Sequence, residues 1–121
     1  MAKRDPNLFT WQWRGYAANH RDRTNLALHL VAVPLFIVSL VVLLIGVFGL
    51  APGTLLLGVI GMAASLAIQR NGHRLEAQAP EPFSDRPDAL KRLLAEQLVT
   101  FPRFLFSGAW WRAWREARRR R

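Results

Sequence analysis

The sequence predicts an all-α membrane protein: a transmembrane helical hairpin with interfacial amphipathic helices at both ends. Three observations carry this. From Thr24 to Gln69 there is no Asp, Glu, Lys or Arg, and two apolar runs parted by Ala51-Pro52-Gly53 fill that stretch. The chain is 51% hydrophobic yet carries a net charge of +9, because every Lys and Arg lies before Thr24 or after Gln69. All five tryptophans lie in the terminal segments, and tryptophan prefers the headgroup level. With 121 residues the chain makes one domain, its hairpin at about 24–70 and a basic tail at 115–121.

Asn7 to Asn19 carries Leu8, Phe9, Trp11, Trp13 and Tyr16 and reads as the first interfacial helix. The polar run Arg21 to Thr24 breaks the chain, with Asp22 or Thr24 as N-cap of the membrane helix. Leu26 to Leu50 is ~37 Å long as a helix, more than the ~30 Å hydrocarbon thickness. Pro34 kinks it without ending it. Ala51-Pro52-Gly53 makes the turn, and Pro52 suits the first position of the next helix.

The second run, Thr54 to Gln69, is only ~24 Å long, so it spans by thinning the bilayer or by using flanking residues. Gly58, Gly61 and Ser65 place small residues at helical spacing for close approach of a neighbour. A soluble alternative, two buried core helices, leaves little chain to wrap them. Ala79 to Pro87, with three prolines, is an irregular link. Asp88 then caps a helix with apolar positions at Leu90, Leu93, Leu94, Leu98 and Phe101. Pro102 interrupts it, and a last helix from about Arg103 carries Phe104, Leu105, Phe106, Trp110, Trp111 and Trp114. These aromatics lie along the membrane surface, pack helices together, or do both.

No cysteine is present, which excludes disulfides, thiolate ligands and a cysteine nucleophile. Much of the positive excess is Arg118 to Arg121, which beside apolar helices meets anionic lipid at about 1 kcal/mol per residue. No nucleic-acid-binding module accompanies the charge, so no nucleic-acid partner is expected. The first 25 residues are polar, aromatic and charged throughout, unlike a cleavable signal peptide. An uncharged turn between arginine-rich flanks places both termini on the cytoplasmic side. A bacterial inner membrane and an endoplasmic reticulum fit equally.

All three histidines crowd the rims of the uncharged stretch: His20 before it, His29 just inside it, His73 after it. A hairpin brings all three to one membrane face. His20 and His29 are nine apart, on opposite sides of a straight helix, so they converge only if the chain breaks between them. Asn25 and His29 share a helix face, as His73 and Glu76 do if the turn allowed by Gly72 is helical. Iron(II) oxygenases use neutral imidazoles, often with one carboxylate, and leave positions open for oxygen and substrate. His20, His29, His73 and Glu76 offer such groups, and Asn25 or Asp22 is placed to orient an imidazole. The bland reading of each histidine alone is a helix-end hydrogen-bond partner, but an ionisable residue inside a membrane helix, such as His29, is a functional candidate.

Tyr16, His20, Asn25, His29 and Pro34, followed after the hairpin by Gly72-His73 and Glu76, resemble the 2-hydroxy fatty acid dioxygenase family. That family includes a fungal endoplasmic-reticulum protein of phytosphingosine breakdown and many small bacterial relatives. The similarity runs from about Tyr16 to Trp111 and takes in the proline-rich link and Phe101-Pro102-Arg103-Phe104. It implies an iron(II)-dependent α-oxidation that shortens a 2-hydroxy fatty acid by one carbon with molecular oxygen. It implies metal ligands at His20, His29 and His73; Asn25 and Glu76, from their spacing, are expected as further cofactor-binding groups. The acyl chain would lie between the hairpin and the aromatic terminal helices, and Arg21, Arg23, Arg70 or Arg74 could attract its carboxylate. Two other readings stand beside this one. One is another histidine-metal enzyme acting on lipid, with two irons or a zinc. The other is a non-enzymatic structural hairpin or adaptor.

Overall fold

The computed structural model describes residues 4–120, without the side chains of 118–120. The expectation for Arg118 to Arg121 therefore falls on side chains outside the described residues. Among the described residues every regular element is helical.

Helix α1, Leu8–Tyr16, opens on Asn7, whose side chain accepts the Thr10 N–H at 3.2 Å. A 3-10 turn, Ala17–Asn19, ends it, and the chain leaves helical geometry at His20. Helix α2, Arg23–Phe48, starts at the Asp22 carboxylate, which accepts the Asn25 N–H at 3.0 Å. Pro34 lies inside α2 without ending it.

The turn falls earlier than the sequence predicts. Pro52, with its preset φ and missing N–H, is the first residue of α3, Pro52–His73. Gly53 is thereby helical, and the reversal is made by Gly49, Leu50 and Ala51, with Leu50 left-handed at φ 51. Helix α3 is also longer than the apolar run that nucleates it. Its 22 residues reach about 33 Å and the 26 of α2 about 39 Å, so both helices are long enough to cross the hydrocarbon thickness of ~30 Å.

The two helices form a tight hairpin. A Cβ on Gly46 would lie 2.3 Å from the Leu55 nitrogen, and one on Gly58 2.5 Å from the Leu43 nitrogen. Ser65 Oγ donates to the Ala32 carbonyl at 2.5 Å. Only 28% and 17% of the most apolar stretches of α2 and α3 are buried, where a soluble core helix would be mostly buried. Val31, Val38, Val41 and Ile45 on α2, and Leu57 and Ile60 on α3, stay exposed. So broad an apolar belt suits lipid and not water.

Helix α4, Arg86–Ala95, is capped by Asp85 and not by the expected Asp88. Asp85 accepts the Asp88 N–H at 2.7 Å, while Asp88 reaches back to the Ser84 N–H at 3.1 Å. Asp88 thus holds the third helical position, where an acidic side chain completes a reciprocal cap. Pro102 does not interrupt the helix. A π-helical turn, Glu96–Thr100, leads without a break into α5, Phe101–Phe106. The wider turn relieves the contact between a proline ring and the carbonyl of the preceding turn. The break comes at Ser107–Gly108, where Gly108 has φ 89, before α6, Ala109–Arg120.

The face that α4 and the π turn bury is polar: Asp88, Arg92, Gln97 and Thr100 are inside, while Leu90 and Leu98 are exposed. Of the apolar positions read from the sequence, Phe101 is buried, Leu93 and Leu94 are half-buried, and Leu90 and Leu98 face outward, as fits a helix with lipid on its outer side. The Gln69 and Gln97 amides exchange two hydrogen bonds of 2.8 Å, fixing the π turn to α3. Around this end of the hairpin, Tyr16, Leu26, Val33, Phe101, Phe104 and Trp110 form the core. Trp110 donates to the Leu26 carbonyl at 3.2 Å, and Arg23 stacks on Trp114 at 3.9 Å. Packing thus claims those aromatics, while Trp111 and Phe106 remain exposed.

Candidate metal centre

The break at His20 to Asp22 lets His20 fold back over the start of α2, where His29 lies one turn beyond the Asn25 carbonyl. His73 arrives from the last turn of α3. The three rings stand 4.7–4.9 Å apart between centroids and nearly perpendicular to one another. His20 and His29 are fully buried.

Hydrogen bonding fixes the ring chemistry. His20 Nδ1 is 2.7 Å from the Tyr16 carbonyl, and His29 Nδ1 is 3.1 Å from the Asn25 carbonyl. A carbonyl only accepts, so each Nδ1 carries the proton, and in a neutral ring Nε2 presents a bare lone pair. Both Nε2 atoms, and His73 Nδ1, are buried without a hydrogen-bond partner.

Glu96 is the fourth group. Its Oε2 lies 3.7 Å from both His20 Nε2 and His29 Nε2, and accepts the Tyr16 hydroxyl at 2.7 Å. Burial alone raises the Glu96 carboxyl, but His20 and His29, when protonated at Nε2, and the Tyr16 hydroxyl outweigh it and hold it at about 2. Tyr16 is pushed well above 10, by burial first and by the Glu96 charge second, and stays protonated. With both rings neutral, an anionic oxygen faces bare nitrogen lone pairs, an arrangement that a proton or a metal cation relieves.

His20, His29, His73 and Glu96 each place one donor atom within 4.8 Å of all the others. Donors about 2.0–2.2 Å from one ion stand at most roughly 4.4 Å apart. The donor set therefore fits one metal ion after a contraction of a few tenths of an ångström. Three imidazoles and a carboxylate suit a borderline or hard divalent transition metal.

Glu76, offered by the sequence as a carboxylate near His73, is engaged elsewhere. It accepts the backbone N–H groups of Arg21 and Asp22 at 2.9–3.0 Å and the Asn25 side-chain amide at 2.6 Å. It thereby clasps the break that delivers His20. Asn25 acts through its carbonyl on His29 and through its amide on Glu76. Asp22 is a helix cap. Of the four arginines considered for the carboxylate, Arg70 lines the large cavity described next. Arg23 is stacked on Trp114, Arg21 faces a smaller pocket, and Arg74 lines neither.

A cavity of about 860 Å³ opens onto His20, His73 and Glu96. That volume is within the usual ~300–1,000 Å³ of small-molecule sites. Its walls come from α1, the last two turns of α3, the proline-rich link and α4. It thus adjoins α1 and the last two turns of α3, from Leu66 on, but neither α2 nor α6.

Glu96 escaped the sequence reading because it sits 20 or more residues from each histidine and inside a leucine pattern. One signal was available: four residues after Arg92, it extends the polar stripe Asp88, Arg92, Glu96, Thr100. No curated protein and no solved structure matches the chain. A family model described as "2-hydroxy-palmitic acid dioxygenase Mpo1-like" matches residues 7–114, the range that holds all four donors. The chain therefore belongs to the Mpo1-like family.

Proposed function

We propose that this protein is an iron(II)-dependent dioxygenase that shortens a 2-hydroxy fatty acid by one carbon. The observation that carries this reading is the convergence of three partnerless imidazole nitrogens with the Glu96 carboxylate, in a cluster that His20, His73 and Glu96 open to an acyl-sized cavity. The family description, naming a 2-hydroxy-palmitic acid dioxygenase, supplies the substrate class. Overall, the acid and one dioxygen give the acid one carbon shorter, carbon dioxide and one water. The C1–C2 bond breaks, the acid gives up four electrons and dioxygen takes them.

His20, His29, His73 and Glu96 would hold the iron(II), which would supply dioxygen activation when bound. The chain's own part is orientation and exclusion of water. The Tyr16 and Asn25 carbonyls hold His20 and His29 with Nε2 inward. The Tyr16 hydroxyl keeps one Glu96 oxygen turned to the histidines. Glu76 secures the break in the backbone. With four donors in the cluster the site accommodates one ion, which favours this reading over a two-iron hydroxylase.

The test is purified protein with iron(II), dioxygen and a 2-hydroxy 16-carbon acid. The 15-carbon acid should appear with one dioxygen consumed per acid and one iron bound per chain. Iron-loaded protein that forms no shortened acid would refute the reaction, and two irons or a zinc would refute the cofactor.

A further inference from the structure

Three arginines line the large cavity, and they are not equivalent. Arg92 is buried, donates to the Glu81 and Pro82 carbonyls at 2.6 and 3.1 Å, and lies 3.5 Å from Asp88. Its charge is spent on the link. Arg14 points back to Asp5, 3.5 Å away. The Arg70 side chain has no ion pair and no hydrogen bond among the described residues.

Arg70 lies three residues before His73 on α3, about 4.5 Å along the axis and on the same side. Both line the cavity that Glu96 closes. Leu66, one turn on toward the membrane interior, lines it too, as do Leu93 and Phe83. A guanidinium near a helix C-terminus is favoured by the helix dipole. That preference explains a cation at this end of α3, not its place on the cavity wall between a metal cluster and an apolar floor.

We propose that Arg70 binds the carboxylate of the fatty acid substrate and sets the preference for a free acid over an ester or alcohol. The head group then sits by His73 and Arg70, and the chain runs past Leu66 toward the bilayer. Arg70 presents a fork of donors that pairs with both carboxylate oxygens, whereas an ester offers no charge to meet it. This assignment rests on the fatty-acid reading above but not on the oxidation itself.

The experiment compares wild type, Arg70→Gln and Arg70→Lys as purified full-length chains in detergent. Binding is read as quenching of tryptophan fluorescence, Trp11 being on the cavity wall, by a chain-brominated fatty acid and by its methyl ester. Wild type should bind the acid about 10- to 100-fold tighter than the ester, the range expected of a charge-assisted pair. Arg70→Gln should bind the two alike, with unchanged iron content, and Arg70→Lys should restore part of the preference. In turnover, the loss in Arg70→Gln should fall on KM more than on kcat. An acid preference that survives Arg70→Gln overturns the assignment, even if the oxidation is real. An acid preference that depends on Arg70 upholds it, even if no shortened acid forms.

Discussion

Two glutamates at the histidine cluster illustrate how partners decide a side chain's role. Glu76 faces backbone N–H groups and an amide, while Glu96 faces imidazole edges and a hydroxyl. Their conservative variants should therefore separate. Glu96→Gln keeps an acceptor for Tyr16 but loses the charge, and should weaken iron binding about 10- to 100-fold with little loss of helix stability. Glu76→Gln should keep the iron stoichiometry and cost about 1–3 kcal/mol of stability, through weakened charged hydrogen bonds. His29→Ala should reduce bound iron at least about tenfold. Metal analysis beside thermal unfolding checks all three, and equal iron loss in Glu76→Gln and Glu96→Gln would show that both carboxylates serve the ion. Sequence reading reached the histidines because each borders the uncharged stretch. It reached Glu76 because proximity to His73 was the only cue it had. The link that matters for Glu96 is Tyr16, 80 positions away, and no local pattern encodes that.

At the scale of elements, the hairpin depends on glycine where backbones touch. A Cβ at Gly58 would meet the Leu43 backbone, whereas one at Gly53 meets nothing within 4 Å. Gly58→Ala should force the helices apart and destabilise the hairpin by about 1–3 kcal/mol. Gly53→Ala should stabilise α3 by about 0.5–1 kcal/mol, since a helical glycine costs that much relative to alanine. Denaturation in mild detergent distinguishes them, and equal effects would place the contact elsewhere. The start of α4 gives a pH signature. The Ser84 N–H, ahead of the Arg4 guanidinium 2.8 Å away, lowers the Asp88 carboxyl to about 2 against the effect of burial. A depressed carboxyl stabilises the fold fully above its unfolded value near 4 and loses that contribution as pH falls through about 2. Asp88→Asn should thus be less stable than wild type at pH 5, with the gap closing toward pH 2. A gap independent of pH would remove charge from the explanation. The spans, the break before α2 and the Asp22 cap were legible because apolar length and capping are local. The polar inner face of α4 was not, because leucine periodicity marks an apolar side without saying whether core or lipid meets it.

For the whole molecule, the arrangement of helices turns a question of topology into one of chemistry. The four donors, the large cavity and the arginine-bearing ends of α2 and α3 all lie at the open end of the hairpin, opposite Leu50. If α2 and α3 both cross the bilayer, the site and both termini share one side, and the positive-inside rule makes that side cytoplasmic. On the proposed function, iron(II) would then be drawn from the reducing cytosol, and the acid would reach Arg70 from the same leaflet. The natural absence of cysteine makes this directly measurable. Single cysteines placed by Ala51→Cys and Gln78→Cys report the two ends, the first in the exposed turn region and the second on the cavity wall. In sealed right-side-out vesicles a membrane-impermeant maleimide should label Ala51→Cys, and should label Gln78→Cys only after lysis. Labelling of both before lysis would mean that the hairpin does not span, and its belt of exposed valine, leucine and isoleucine would then need a protein partner instead of lipid. The reverse pattern would turn the site outward, and the metal would have to be held against an oxidising solution that keeps little iron(II).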